Sequence, residues 1–254
     1  MIAVVSPAKK LNTDTLDRQL PLTQPHLMAD IEELMETTRK LKATDLQSLM
    51  GISESLATLN HDRFQGFSTP FTEDNSKPAA LMFNGDTYTG LDAQSLSDAD
   101  LGWAQDHLAI LSGLYGILRP LDLIQPYRLE MGTKLETDRG RNLYQFWGTR
   151  ITDQITDWLS THSDPTIINL ASNEYFKSIK AADLPGQVIT PAFKEMRDGK
   201  AKMISFLAKK ARGMMARYII ANRIDAPEVL KQFDGGGYRY DPESSTETTW
   251  TFIR

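Results

Sequence analysis

The 254-residue chain is 41% hydrophobic and 24% charged, with a formal net charge of −5, the profile of an ordinary soluble globular protein. It has no cysteine, which excludes disulfides, thiolate metal sites, iron–sulfur clusters and cysteine nucleophiles together. No apolar run reaches the roughly 20 residues a membrane helix needs, and the start, Met1 to Pro7, lacks the basic region of a signal peptide, so a cytoplasmic protein is expected.

Residues 2–5 read as a short buried strand stopped by Ser6-Pro7, with Lys9 and Lys10 just beyond. Leu27, Ile31, Leu34, Met35 and Leu41 then recur at helical spacing. With Thr23 placed to cap and Pro25 in the first turn, this predicts a helix of about 16 residues. Residues 43–67 predict two short helices joined at Gly51-Ile52-Ser53. That segment partly matches a helix–hairpin–helix, whose turn offers backbone N–H groups to a DNA phosphate without reading sequence. Ser53 stands where the motif has a second glycine, and no Lys or Arg lies between Thr44 and Asp62. A plain two-helix packing unit reads equally well.

A strand is expected at 80–83, a helix at 98–107 capped by Ser97, and a buried strand at 109–113. A single helix is expected over 141–159 and a strand over 166–170. Ser172 follows that strand, and Asn173 caps a short helix ending at Lys177. Residues 187–189 read as a strand, 204–222 as a long helix, and 238–240 with 248–253 as a hairpin after a glycine break. Strands alternating with helices predict an α/β (mixed α+β) fold. The expected architecture is one domain over 1–254, a mixed sheet flanked by helices, with the insertion at 43–67 embedded in it.

Charge is sorted along this chain. Between Lys194 and Arg223, nine Lys and Arg face only Glu195 and Asp198, a local net of +7 that leaves −12 for the rest. A positive surface on an acidic body steers anions to one face. On a helical wheel, Ile204, Leu207, Ala211, Met214, Met215 and Tyr218 fall on one side. Lys202, Lys209, Lys210 and Arg217 fall opposite, with Arg212 at the edge. A solvated face, a membrane-surface helix and one wall of an anion cleft all fit this pattern. Glu–Lys pairs at four-residue spacing are absent, and Gly213 costs the helix about 1 kcal/mol against Ala, which points to close approach of backbone or ligand.

Other walls for such a cleft lie past the strand ends, where open α/β sheets bind ligands. Ser6, Lys9 and Ser172 are placed there. Arg119 and Arg128, flanked by apolar residues, need acidic partners or an anionic ligand. Asp122 and Glu130 are the local partners, so an internal salt-bridge network is the competing reading. No P-loop, Gly-x-Gly-x-x-Gly or Gly-x-Ser-x-Gly is present. His26, His61, His107 and His162 are scattered, so no metal site, cofactor or catalytic motif is expected.

Several blocks together resemble a known family. They are Ser6-Pro7-Ala8-Lys9, Tyr88-Thr89-Gly90-Leu91, Leu111 to Gly116 with Arg119-Pro120-Leu121-Asp122, and Pro126 to Met131. Asn169 to Ser172 with Glu174-Tyr175, and Ala208 to Gly213, complete the set. This pattern resembles the YaaA family of bacterial peroxide-stress proteins over essentially the whole chain. The resemblance implies a cytoplasmic protein that limits hydrogen peroxide damage by keeping unincorporated iron low. It also implies a single-domain mixed α/β fold with a positively charged cleft, an embedded helix–hairpin–helix and DNA binding. The sequence shows no ligand cluster for iron.

Two expectations follow. In the first, DNA phosphates meet Lys209, Lys210, Arg212 and Arg217, with Ser6, Lys9, Lys10, Arg119, Arg128, Ser172 and Lys177 around the same cleft. In the second, Ser6, Lys9, Arg119, Arg128 and Ser172 form the pocket of an enzyme for a phosphorylated or nucleotide-like small molecule.

Overall fold

The apolar run Ile2–Val5 is buried on both faces, as a strand covered from above and below must be. It forms β1 in a computed structural model that describes residues 1–254. The strands that follow are β2 (Lys77–Pro78), β3 (Leu108–Ser112), β4 (Gly116–Leu118), β5 (Leu123–Ile124) and β6 (Ile167–Leu170). After them come β7 (Val188–Arg197), β8 (Lys200–Lys202), β9 (Arg239–Tyr240) and β10 (Thr249–Ile253). The helices are α1 (Met28–Arg39), α2 (Ala43–Met50), α3 (Glu54–Gly66), α4 (Ala79–Met82) and α5 (Asp86–Leu91). Then follow α6 (Asp98–His107), α7 (Leu143–Trp147), α8 (Arg150–Leu159), α9 (Asn173–Phe176) and α10 (Ser205–Ala221).

The main sheet has eight strands in the order β4-β3-β1-β6-β7-β10-β9, with β8 paired to β7. β1 is parallel to both β3 and β6, and β7 is parallel to β6 and β10. β4, β8 and β9 are antiparallel additions, and β2 and β5 pair separately. The fold is mixed α/β, a mixed sheet with helices packed around it. From β1 the chain goes to β3 on one side and later returns to β6 on the other. The strand order therefore reverses at β1, the type of position where open sheets bind ligands.

Two glycines set the contact between α5 and α10. A Cβ on Gly213 would lie 1.8 Å from the Thr87 carbonyl oxygen, and one on Gly90 would lie 2.1 Å from the Lys210 carbonyl oxygen. The two backbones touch, and no side chain fits between them. This is the physical reason for a glycine inside α10: the close approach is by backbone. At the far end of α5, Arg217 donates to the carbonyls of Leu91 (3.1 Å) and Asp92 (2.8 Å), a cation on a helix C-terminus.

Local expectations differ from the structure in several places. The first helix starts at Met28, and its N-cap is Leu27 with no side-chain cap. Thr23 instead donates to Asp122 Oδ1 (2.7 Å) and bridges to that loop, so a tertiary clamp takes the hydroxyl that was expected to cap. Residues 80–82 belong to the helical turn α4 rather than a strand, because the Ala79 and Ala80 N–H groups bond the 120–122 loop, and only Phe83 makes a strand-type bridge, to Leu11. The helix expected over 141–159 is two helices, broken at Gly148 with φ 55° and ψ −112°. Ser172, not Asn173, is the N-cap of α9. β7 runs eight residues beyond Ile189 and turns into β8, a hairpin the sequence reading did not anticipate. The 43–67 segment does form two helices, with Gly51 in the left-handed region at φ 60°.

The α5–α10 contact yields a stability test. Gly213→Ala is expected to destabilise by about 2–3 kcal/mol, because the new methyl must displace backbone rather than a flexible side chain. Gly102→Ala in α6, where a Cβ meets nothing within 4 Å, is expected to stabilise by about 1 kcal/mol. Urea unfolding of both variants measures the pair. Equal effects contradict the close-contact reading.

Candidate anion-binding site

A half-open cavity of about 480 Å³ lies beyond the carboxyl ends of β1 and β6. Ser6, Lys9 and Lys10 line it from the segment after β1, and Ser172 from the turn after β6. Arg128 enters from the 126–131 segment, and Lys209 and Arg212 come from one face of α10. Seven residues singled out by sequence are thus brought together, from four separate stretches of chain.

Each wall is held by identifiable contacts. The Ser172 N–H donates to Ser6 Oγ (2.9 Å), so the two strand ends are tied at the cavity floor. Tyr88 Oη on α5 donates to the Ser6 carbonyl (3.1 Å). The Lys9–Lys10 segment pairs with the stretch before α5: Asn12 N–H donates to Met82 O (2.7 Å) and Asn84 N–H to Lys10 O (2.9 Å). Gly85 packs there on Ala8, where an added Cβ would stand 3.1 Å from the Ala8 Cβ. Opposite, Glu174 Oε1 accepts from the Gly132 N–H (3.0 Å) and fixes the 128–132 segment against α9.

The cations differ in how they are satisfied. Lys9 pairs with Glu130 (2.9 Å), and Arg128 reaches the same carboxylate at 3.5 Å. Arg128 keeps a buried Nε with no acceptor. Lys10, Lys209 and Arg212 have no carboxylate within ion-pair distance. Arg212 is half-buried, and desolvation pulls its pKa below the ordinary arginine value. A desolvated guanidinium without a partner is costly. Five cations and three carboxylates (Asp86, Glu130, Glu174) line the cavity, a net of +2. Burial pushes the Tyr88, Tyr127 and Tyr175 phenols well above their ordinary range, so these are neutral walls. The set suits binding of a phosphate-type dianion. No group of three or more His, Cys, Asp or Glu is placed to hold a metal ion.

Sequence reasoning missed Asn84, Asp86, Thr87, Tyr127 and Glu174 as wall residues, and named Glu130 only as a partner of Arg128, which it is at 3.5 Å. Asn84-Gly85-Asp86 reads as an ordinary turn, and only the long-range pairing of 82–84 with 10–12 turns it toward Lys9. Glu174 carried a usable signal: it is an acid next to Tyr175, just past the end of β6.

Fold and site define an α/β protein with a cationic cavity at the switch point of its sheet. The sequence profile of a family described as peroxide stress protein YaaA matches residues 1–244. A UPF0246 protein of Saccharophagus degradans is 53% identical over all 254 residues, covering 99% of the relative. UPF0246 proteins of Alteromonas mediterranea and Caulobacter vibrioides are each 54% identical over the same span, covering 98% and 99% of those chains. The chain belongs to the YaaA family of peroxide stress proteins.

Four of the sequence-selected cations lie outside the cavity lining. Lys210 is exposed on α10, and Arg217 is spent on the end of α5 and Asp92. Lys177 stands over the Tyr144 ring, 5.3 Å from its centroid. Arg119 stacks on Trp158 at 4.7 Å and reaches Asp106 at 3.6 Å. Its expected partner Asp122 accepts instead from the Arg119 backbone N–H (2.7 Å) and from Thr23. The hairpin Gly51-Ile52-Ser53 also lies outside the lining. The Gly51 and Ile52 N–H groups both go to the Gln47 carbonyl.

Burial raises the Asp122 pKa to about 6 from an ordinary 3.8. Between those values the folded chain holds a proton that the unfolded chain has lost, so stability falls as pH rises across the window. This group accounts for a fall of about 3 kcal/mol. Asp122→Asn is expected to flatten the stability profile from pH 4 to pH 7 in urea unfolding. A wild-type slope in the variant contradicts the assignment.

Proposed function

We propose that the protein binds DNA across the mouth of this cavity, mainly through phosphate contacts. It does so in the cytoplasm as part of a peroxide response that limits unincorporated iron. One observation carries the DNA-binding part: Lys10, Lys209 and Arg212 converge on one cavity without acidic partners. The family membership supports the stress role. Charge sorting supports a polyanion, because Arg197 and Lys200 are also exposed on the β7–β8 hairpin, beside Lys202, which reaches Asp198 at 3.9 Å. The Gly51–Ser53 turn offers a second phosphate contact through the first-turn N–H groups of α3, the Gly51 and Ile52 groups being already used.

A second reading follows from shape. A volume of about 480 Å³ falls in the range of small-ligand pockets, which fits an enzyme or carrier for a phosphorylated or nucleotide-like molecule.

Filter binding of a short duplex over a salt series tests the first reading. Affinity is expected to fall linearly on logarithmic axes, because each neutralised phosphate releases counterions. Lys209→Gln is expected to lower that slope by about one, while Arg217→Gln leaves it unchanged. Binding that ignores salt contradicts the proposal. The same titration with a free nucleoside monophosphate in place of DNA separates the second reading: tight binding of the monophosphate with none of the duplex favours the small molecule.

A further inference from the structure

We propose that the cavity receives one nucleotide swung out of a weakly paired position in DNA, with its phosphate on Arg212 and its base against the tyrosine wall. This rests on the reading that the protein binds DNA. A duplex cannot enter a cavity of about 480 Å³, whereas a single nucleotide fits one of that size. Enzymes and sensors that handle one base take it out of the stack, and the cost is least where the base is mismatched or bulged.

The furnishing of the cavity matches the parts of a nucleotide. Its net charge of +2 suits a phosphate, and of the three lining cations without a protein partner Arg212 is the one that is half-buried. Lys9 and Arg128 are already shared with Glu130, so they shape the wall more than they attract. Tyr175, Leu129 and Leu170 supply an apolar and aromatic surface on which a base can stack. Glu174 uses Oε1 on the Gly132 N–H, which leaves Oε2 to accept from a donor on the edge of the base, thymine N3–H as well as the exocyclic amine of adenine, cytosine or guanine.

An independent observation lies at the rim. β7 is parallel to β6 and outruns it, so the β7–β8 hairpin rises from the same sheet edge at which the cavity opens. On it and on the entry to α10, Met196, Met203 and Phe206 are 54%, 59% and 59% exposed. Large apolar side chains on a basic hairpin suit insertion into a base stack, the wedge that DNA-distorting proteins use to hold open a step.

The test uses the full chain and a short duplex with one bulged thymine, probed with permanganate, which oxidises accessible unstacked thymine. At saturating protein the bulged thymine is expected to lose reactivity about ten-fold. Arg212→Met is expected to bind the duplex through Lys10 and Lys209 yet leave the bulge reactive. Arg212→Lys, which keeps stem and charge, carries the comparison if the methionine variant does not fold, with intermediate protection expected. A fully bound wild-type complex with an unprotected bulge overturns the proposal and leaves DNA binding standing. Equal protection by wild type and Arg212→Met also overturns it, since that is simple coverage. If no duplex binds at low salt, the DNA-binding reading itself fails.

Discussion

The site depends on one backbone contact. Gly90 and Gly213 allow α5 to lie against α10 with no side chain between them. That distance sets the height of α10 above the strand ends, and so the reach of Lys209 and Arg212 into the space beyond β1 and β6. α5 also carries Tyr88, which fixes Ser6. A single close contact thus couples the floor of the cavity to its cationic wall. The helix pays for Gly213 in propensity, and the packing of two backbones replaces what a side chain would have contributed.

Electrostatics then divide the cations into two groups. Lys9 and Arg128 share Glu130, Arg217 holds the end of α5, and Arg119 lies on Trp158 near Asp106. These charges each have a protein partner, although Lys9 and Arg128 share one carboxylate and the Arg119 and Arg128 Nε groups have no acceptor. Lys10, Lys209 and Arg212 are not compensated. Within a chain of net charge −5, uncompensated cations meeting at a switch-point crevice form a focused positive field. Lys10 and Lys209 are exposed and screened by solvent, but Arg212 is half-buried and draws less on water.

Parts of this were legible in the sequence for clear reasons. Ile2–Val5 and the 166–170 run are continuous and β-branched, so strands were expected there, with Ser6 and Ser172 just past their ends. The amphipathic period of 204–222 placed Arg212 at the edge of the basic face, and in the structure that edge turns inward to the cavity. Other features depended on contacts between distant stretches. Thr23 looked like a cap, yet it clamps Asp122. Residues 80–83 had strand composition, but the Ala79 and Ala80 N–H groups bond the 120–122 loop and the Phe83 N–H closes a turn on Ala79. Arg119 and Arg128 looked equivalent in sequence, and only the placement of Trp158 and Glu130 separates one from the other. The β7–β8 hairpin did have a local signal in Asp198-Gly199, whose two positive φ angles make the two-residue turn between Arg197 and Lys200, whereas the pairing of β7 with β10 joins distant stretches of chain.

The central claim is that Arg212 is held unpaired for an anion. Crystals soaked in tungstate or selenate and measured at the absorption edge of the anion test it directly. The account predicts an anomalous peak inside the cavity, at about 3 Å from the Arg212 guanidinium, with Ser6 and Ser172 near it. An empty cavity beside anions bound elsewhere on the surface, or an Arg212 turned onto a protein carboxylate, would contradict it.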